Sequence, residues 1–511
     1  MNFKMILRIQ SQALLTFAVT VVLPIAYGIY EFNNFNMLVL FGSIGAAAFG
    51  VGILFHRFSI GRFRRAPLAE SASAILVMYP IIAVFGSVPF IITGWLLPVD
   101  ALLETISDLT SAGLSILPAD APYILRLWQS SLMWLGSLLF LIMLVTVLPE
   151  VSGCFGVSLS LQGGQGFSAI IGQMNLMSLR VIKVYGFLTA VSFVAFKLSG
   201  LGMWDSLLMA MRCLSTGGGD YFPSNENFYV ECAAIFVMLL ACGNFLLYHR
   251  VVYTLLPPRI EFSKIFVTRF KQYCARFRRT LVANAKIFFA NAEIKALYST
   301  IFFVMILLIV RMFLQDFQFD EGENLHRTLF YIVSFVSTSG ITLDGGANQH
   351  VGDFERLFVF VMAAIGGCIG SVTGGFKIVR VIILFKITAT EVQKMLHPRM
   401  MPAIKLGDVP VPMRTAARIL AFFFLSLMTM FICAGLLSLS GTEFSKGVSM
   451  SVACLSNVGN LPGLCGAEDF RALSRVGKFF CMMILIVGRL EIFALLIAVA
   501  GFKVRRKRSN W

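Results

Sequence analysis

Apolar runs long enough to cross a bilayer recur along the whole chain, parted by short polar connections. The pattern predicts spanning helices near 11–31, 37–56, 71–97, 127–149, 180–201, 229–253, 296–315, 355–386 (interrupted), 416–440 and 476–502. Lys4 and Arg8 precede the first run, as in a signal peptide. No small-residue cleavage site follows and a second apolar run comes at once, so the first run reads as a membrane helix.

Four of the connections hold a further segment of helical character, too short to span, at 100–109, 204–214, 324–336 and 443–455. Their endings align as Leu109-Thr110-Ser111-Ala112-Gly113, Leu214-Ser215-Thr216-Gly217-Gly218, Val336-Ser337-Thr338-Ser339-Gly340 and Leu455-Ser456-Asn457-Val458-Gly459. The shared form is an aliphatic residue, a hydroxyl residue, two variable positions and glycine. A span, a short helix, a Gly-ended loop and a span thus occur four times, and such a repeat specifies an architecture. Non-helical backbone at membrane depth is tolerated only where it lines a cavity or is buried in protein. Four such loops about one axis would aim carbonyls inward in place of a monovalent cation's hydration shell, with glycine permitting the turn. Short helices entering from outside would also point their partly negative C-termini at the membrane centre. Glu104, Asp205, Glu323 and Glu443 read as acids near the outer helix starts. Asp108, Asp120, Asp220 and Asp344 read either as acids of a cation-attracting mouth or as ordinary solvated loop residues.

Composition supports the membrane reading. The 511 residues are 58% hydrophobic and 13% charged, against about 45–50% and 25% in soluble domains. Disorder, a soluble nucleic-acid-binding domain and a secreted disulfide scaffold are excluded. The net charge of +16 is explained by position. Arg57, Arg62, Arg64 and Arg65, the 250–295 connection, 377–418 and the tail Lys503-Val504-Arg505-Arg506-Lys507-Arg508 are basic, while Glu31, Asp120, Asp220, Asp316, Asp320, Glu321, Glu323 and Asp469 fall in the alternate connections. Ten spans with both termini cytoplasmic put the basic segments inside, so no nucleic acid is needed. A lipid- or calmodulin-binding helix at 264–286 remains open. Ten cysteines without a CxxC pair and five scattered histidines argue against a metal site.

Gly366, Gly370 and Gly374 recur at spacing four, which suits a helix-packing face. Gly367, Ser371, Thr373 and Gly375 make the stretch dense enough to break a helix instead. Arg489 lies inside the last apolar run; a central charge costs at least about 2.5–3.5 kcal/mol, so it must face protein or water. Glu491, two residues on, does not share its helix face. Arg489 is thus either one member of a buried ion pair or a functional charge. Lys377 and Arg380 are either positive-inside anchors or part of the same device.

The stretch Gly366-Gly367-Cys368-Ile369-Gly370-Ser371-Val372-Thr373-Gly374-Gly375-Phe376-Lys377-Ile378-Val379-Arg380 resembles the Trk/Ktr/HKT superfamily of potassium transporters, and within it the bacterial TrkH/TrkG branch. So do His397-Pro398-Arg399 with Lys405-Leu406-Gly407, Val487-Gly488-Arg489-Leu490-Glu491-Ile492-Phe493, Gly86-Ser87-Val88-Pro89-Phe90, Trp134-Leu135-Gly136 and Gly243-Asn244-Phe245. The chain departs from the family pattern at Asp108, at Ser137-Leu138, in the Gly459-Asn460-Leu461-Pro462-Gly463 loop and over 152–180. The resemblance implies an all-α polytopic membrane protein with four non-identical repeats of helix, pore loop and helix around one pore, plus an N-terminal two-helix hairpin. The divisions expected are a hairpin (1–66), repeat 1 (67–152), repeat 2 (153–258), a basic cytoplasmic connector (259–290), repeat 3 with an intramembrane loop (291–390), a second connector (391–412), and repeat 4 with its tail (413–511).

It further implies K⁺ uptake across a bacterial inner membrane, not an enzyme and without a prosthetic group. The K⁺ ligands would be carbonyls of Thr110, Ser111, Ala112 and Gly113; Ser215, Thr216, Gly217 and Gly218; Ser337, Thr338, Ser339 and Gly340; Ser456, Asn457, Val458 and Gly459. Gly113 at the first filter position suits potassium, since serine there accompanies sodium transport in plant relatives. A gate is implied at Gly366, Gly367, Gly370, Ser371, Thr373, Gly374 and Gly375 with Lys377 and Arg489. The implied partners are a second copy of the chain, membrane lipid and a cytosolic TrkA-type nucleotide-binding ring. The chain has no phosphate-binding motif of its own, so nucleotide acts through that ring. K⁺/H⁺ or K⁺/Na⁺ symport, or Na⁺ or NH₄⁺ permeation, are the alternatives within transport. A membrane enzyme would need a catalytic cluster that the dispersed histidines do not supply.

Overall fold

A computed structural model describes residues 3–31, 35–59, 68–118, 120–146, 174–219, 222–223, 227–245, 247–248, 291–314, 321–343, 353–399, 403–406, 409–459, 461, 470–490 and 492. The basic 250–290 segment, the 152–173 connection, the C-terminal tail, Asn460, Gly463, Asp220, Asp344 and Glu491 lie outside these residues.

The described chain is almost wholly helical. Its first span is α1 (Phe3–Thr20) and α2 (Val22–Tyr30), interrupted at Val21, with Pro24 in the first turn of α2, where its missing N–H is harmless. Then come α3 (Phe35–Phe58), α4 (Leu68–Ile92), α5 (Pro98–Leu109), α6 (Tyr123–Thr146), α7 (Met174–Leu198), α8 (Met203–Ser215) and α9 (Phe228–Cys242). The second half holds α10 (Ala292–Leu314), α11 (Glu321–Val336), α12 (Asp353–Ile365), α13 (Ile378–Leu396), α14 (Met413–Leu439), α15 (Phe444–Ser456) and α16 (Arg475–Leu490). Among the described residues, strands are confined to a two-residue antiparallel pair, β1 (Lys405–Leu406) and β2 (Val409–Pro410).

Seven described helices are long and apolar enough to cross a membrane: Lys4–Tyr30, Phe35–Phe58, Ser73–Ile92, Tyr123–Leu144, Leu179–Leu198, Ala292–Arg311 and Met413–Leu439. They coincide with seven of the ten expected spans. The other three differ for identifiable reasons. The 229–253 span leaves the helix at Gly243, whose backbone is extended. The 355–386 span is two helices, α12 and α13, divided at 366–377. The 476–502 span is described only as far as 490 and 492. Large apolar side chains such as Phe302, Phe424 and Ile432 stay exposed on spanning helices, as a hydrocarbon solvent requires. By contrast 89% of the membrane-length stretch of α6 is buried, against 22% for that of α3, so α6 is interior and α3 peripheral.

The short helices α5, α8, α11 and α15 correspond to the four expected short segments. Each packs between the helix before it and the helix after it. Each also meets one helix from a neighbouring unit: α5 meets α16, α8 meets α6, α11 meets α9, and α15 meets α12. These pairings close a cycle. Helices α1–α3 sit outside it and lean on α4 and α6, where Gln10 Nε2 donates to Ala74 O at 2.7 Å.

Candidate functional site

All four short helices end the same way. The N–H of Ser111, Thr216, Thr338 and Asn457 bonds the carbonyl three residues back, at 2.9, 3.3, 3.0 and 3.4 Å. The N–H of the following residue bonds the carbonyl five back: Ala112 to Ser107, Gly217 to Arg212, Ser339 to Ser334 and Val458 to Ala453, at 2.9, 3.1, 2.9 and 2.8 Å. This is the Schellman closure, which needs a left-handed residue at its turn. Ser111, Thr216, Thr338 and Asn457 fill that place with φ of 55°, 56°, 57° and 54°. None is glycine, so each costs about 1–2 kcal/mol that the surrounding packing must offset. The sequence reading assigned the special backbone to the glycine two residues later. Of those glycines, only Gly113 (φ 70°) and Gly340 (φ 63°) are left-handed; the turn itself belongs to the third residue of each cluster.

The loops meet backbone to backbone. A Cβ on Gly113 would lie 2.6 Å from Gly218 Cα, and one on Gly459 would lie 2.7 Å from Ala112 O. A Cβ on Gly218 would collide with Ser339 O. The first loop thus touches the second and fourth, and the second touches the third. The residues named from the sequence at 110–113, 215–218, 337–340 and 456–459 are brought together, and apart from partly buried Leu455 before the last loop they are buried.

The helix break at 366–377 lies against these loops. Gly374 N donates to Thr338 Oγ1 at 3.0 Å, and a Cβ on Gly374 would sit 2.7 Å from the carbonyl carbon of Ser456. The break is held from within by Phe376 N to Ala364 O (2.9 Å), Ile378 N to Gly367 O (3.1 Å) and Gly367 N to Thr373 Oγ1 (3.1 Å). It is held from outside by Cys368 N to Cys242 O and Phe245 N to Gly370 O, both 3.1 Å. The glycine-rich stretch therefore interrupts the helix rather than packing it.

Two cations are buried at this break. Lys377, only 4% exposed and left-handed at φ 73°, turns Nζ back on the loop, donating to Thr373 O, to Thr373 Oγ1 (3.1 Å) and to Ser371 Oγ (3.4 Å). Arg489, 2% exposed, donates to Val372 O at 2.8 Å and to Ser137 Oγ at 3.4 Å, and its guanidinium stacks 4.2 Å over Phe140. Among the described residues no carboxylate pairs with Arg489, so the ion-pair alternative finds no partner there. Arg380 is buried too, over the ring of Phe422, and is not a solvated anchor.

Two acids are not where the sequence suggested. Glu104 lies mid-helix in α5, fully buried, accepting from Ile116 N at 2.6 Å. Asp108 is fully buried in the last turn of α5, not at a mouth, and its carboxylate oxygens have no hydrogen-bond partner among the described residues. Asp205 and Glu443 do sit at helix starts, and Asp120 is exposed. Ser137, a departure from the family pattern, is a site residue that the sequence alone does not mark. Its Oγ donates to Ser215 O at 2.8 Å and meets Ser111 Oγ at 2.6 Å, joining two loops to Arg489. Among the described residues no cluster of three metal-ligating side chains occurs.

The profile of the TrkH family, described as cation transport protein, matches residues 87–505. The chain is 25% identical to the Trk system potassium uptake protein TrkH of Halomonas elongata over 510 residues, covering 97% of this chain and 98% of that protein. It is 26% identical to the Trk system potassium uptake protein TrkG of Escherichia coli K12, covering 79% and 78%. The crystal structure of the potassium transporter TrkH from Vibrio parahaemolyticus superposes with a TM-score of 0.79 at 22% identity, covering 97% of this chain and 98% of that one.

Proposed function

The chain belongs to the TrkH family of cation transport proteins, a family of transporters rather than enzymes, and from that premise we propose that it carries K⁺ into the cell through one pore formed by its four loops. The observation that carries this reading is the set of four matching helix closures whose loops pack backbone to backbone, the first against the second and fourth and the second against the third. A Schellman closure leaves the next carbonyls free of helix bonds, and loops converging in this way can offer them to one ion. Hydrated K⁺ sheds water onto carbonyls of 110–113, 215–218, 337–340 and 456–459. The C-terminal ends of α5, α8, α11 and α15 add partial negative charge at the same point. An inside-negative potential contributes about 2.3 kcal/mol per charge per 100 mV, so inward flux needs no chemistry from the chain.

The 366–377 break is the gate. It lies against the third and fourth loops and keeps the cations of Lys377 and Arg489 beside the path. Gly366, Gly367, Gly370, Gly374 and Gly375 give the break its backbone, while Ser371 and Thr373 hold Lys377. The divisions of the chain follow the four units, with the N-terminal hairpin outside them. The protein works as a homodimer in the inner membrane with both termini cytoplasmic, under a nucleotide-binding ring of the TrkA type. The basic connections and tail support that orientation.

The test is rescue of a K⁺-uptake-deficient bacterial strain at low K⁺, with radioactive rubidium uptake competed by Na⁺ and NH₄⁺. Rescue with weak Na⁺ competition is expected. No rescue, with or without a regulatory subunit, overturns the reading.

A further inference from the structure

Counted back from the hydroxyl residue of each cluster, Ser107, Arg212, Ser334 and Ala453 occupy one equivalent place, three residues before it. In two units a serine there braces the segment that leaves the loop. Ser107 Oγ accepts from Leu114 N at 2.7 Å, and Ser334 Oγ donates to Ile341 O at 2.8 Å. In the second unit the place is taken by a buried arginine, 2% exposed. Its guanidinium reaches the segment leaving the second loop, where a Cβ on Gly219 would lie 3.1 Å from Arg212 Nη1.

The same guanidinium also reaches sideways. Arg212 Nε donates to Ser130 Oγ at 2.9 Å and Nη2 donates to Gln129 Oε1 at 3.1 Å, both on α6. The amide of Gln129 passes the contact on, donating to Glu104 Oε1. Glu104 Oε2 accepts from Ile116 N at 2.6 Å, and Oε1 accepts from Ser115 Oγ at 3.3 Å, on the segment leaving the first loop. Glu104, Gln129 and Ser130 are at most 2% exposed. A cation, an amide and an anion therefore run behind the first two loops in a dry setting, where hydrogen bonds to charged groups are strongest and their loss costs most.

We propose that Arg212, Gln129 and Glu104 act as one brace that fixes the spacing between the first and second loops and thereby sets which monovalent cation they accept. The inference rests on the proposed transport reading and adds the residues that tune it. These are positioning residues, since none is among the loop residues proposed to hold the ion. A filter that must not collapse around a smaller ion needs its walls held from behind. Ser107 and Ser334 hold their segments with one hydrogen bond each, while the brace ties two walls together. Asp108, one turn from Glu104, lies beside the brace with no hydrogen-bond partner among the described residues.

The test uses the full-length chain in the uptake-deficient strain, with protein amount in the membrane measured for every variant. Arg212→Ser copies the equivalent positions of the first and third units; Glu104→Gln keeps the shape of Glu104 and removes its charge. Each is expected to lower by several-fold the Na⁺ concentration that halves rubidium uptake, and the double variant to be no worse than the stronger single one, because the three residues act as a unit. Arg212→Lys should recover part of the discrimination. Unaltered Na⁺ competition in Arg212→Ser, or strictly additive effects, overturns the brace. If Arg212→Ser fails to accumulate, Gln129→Leu, which interrupts the link without removing a charge, carries the same expectation. Failure of the unaltered chain to transport rubidium refutes the transport reading instead, so the two failures are distinguishable.

Discussion

Replacing Gly113 by alanine tests the geometry of the loops at the point where they are most tightly defined. Gly113 is left-handed at φ 70°, and its missing Cβ leaves room for the backbone of Gly218, whose Cα would otherwise lie 2.6 Å away. The left-handed conformation costs a non-glycine residue about 1–2 kcal/mol. Overpacking against a neighbour that is itself backbone costs about 1–3 kcal/mol more. The sum, about 2–5 kcal/mol, falls on the contact between the first two loops, because no flexible side chain is there to yield. At about 1.4 kcal/mol per factor of ten, even the lower figure displaces the loops enough to cut rubidium uptake tenfold or more. Gly94 provides the control: it is left-handed at φ 77° with nothing within 4 Å of its Cβ position, so Gly94→Ala carries only the conformational cost. The assay is rubidium uptake and its competition by Na⁺ in the deficient strain, with both variants compared at equal protein amount. Wild-type uptake and competition in Gly113→Ala refute the claim that the first and second loops are pressed together in the working protein.

Arg489→Ala removes the charge beside the break and frees Val372 O, and should raise rubidium flux in the absence of a regulatory ring; loss of protein without higher flux assigns Arg489 a structural role only. Shortening 366–375 should also raise unregulated flux, measured in the same strain, and a normal or silent phenotype counts against the gate. Ser137→Ala removes the donor to Ser215 O and the contacts to Ser111 and Arg489. A buried hydrogen bond contributes about 0.5–1.5 kcal/mol, so Na⁺ competition should strengthen a few-fold; no change would limit Ser137 to packing.

Much of the fold was legible because hydrocarbon demands long apolar runs and leaves little freedom in their length. The short helices were legible through the repeat, and their observed limits lie within three residues of the expected ones at each end. What the pattern did not reveal was tertiary. Nothing local tells that Glu104 faces the segment at 115–116 rather than the outer surface, or that Asp108 is buried. Both appear acidic and near a helix end, and their burial depends on α6 and α8 arriving from elsewhere. Arg489 was legible because a charge within an apolar run stands out. Ser137 and Arg212 carried weaker signals, a departure from family pattern and a charge inside a short amphipathic helix. The left-handed positions were assigned two residues late, since glycine advertises such a backbone and Ser111, Thr216, Thr338 and Asn457 do not.

The four closures share a backbone but differ in what their left-handed side chains do, and that difference has a mechanical consequence. Ser111 Oγ is tied to Ser137 and Thr338 Oγ1 accepts from Gly374 N, while among the described residues Thr216 Oγ1 and both amide atoms of Asn457 have no hydrogen-bond partner. A ring of four identical chains would have to treat all four loops alike. Within one chain each loop is free to have its own attachment. Here the first two loops are held through Ser137, which also contacts Arg489, and the third is bonded directly to the helix break. Arg489 bonds the break at Val372 O as well. A displacement of the 366–377 break therefore loads the third loop through Gly374 and the first two through Arg489 and Ser137. For the proposed gating, unequal attachments let one loop-sized break act differently on each of the four loops, as four non-identical segments of one chain allow.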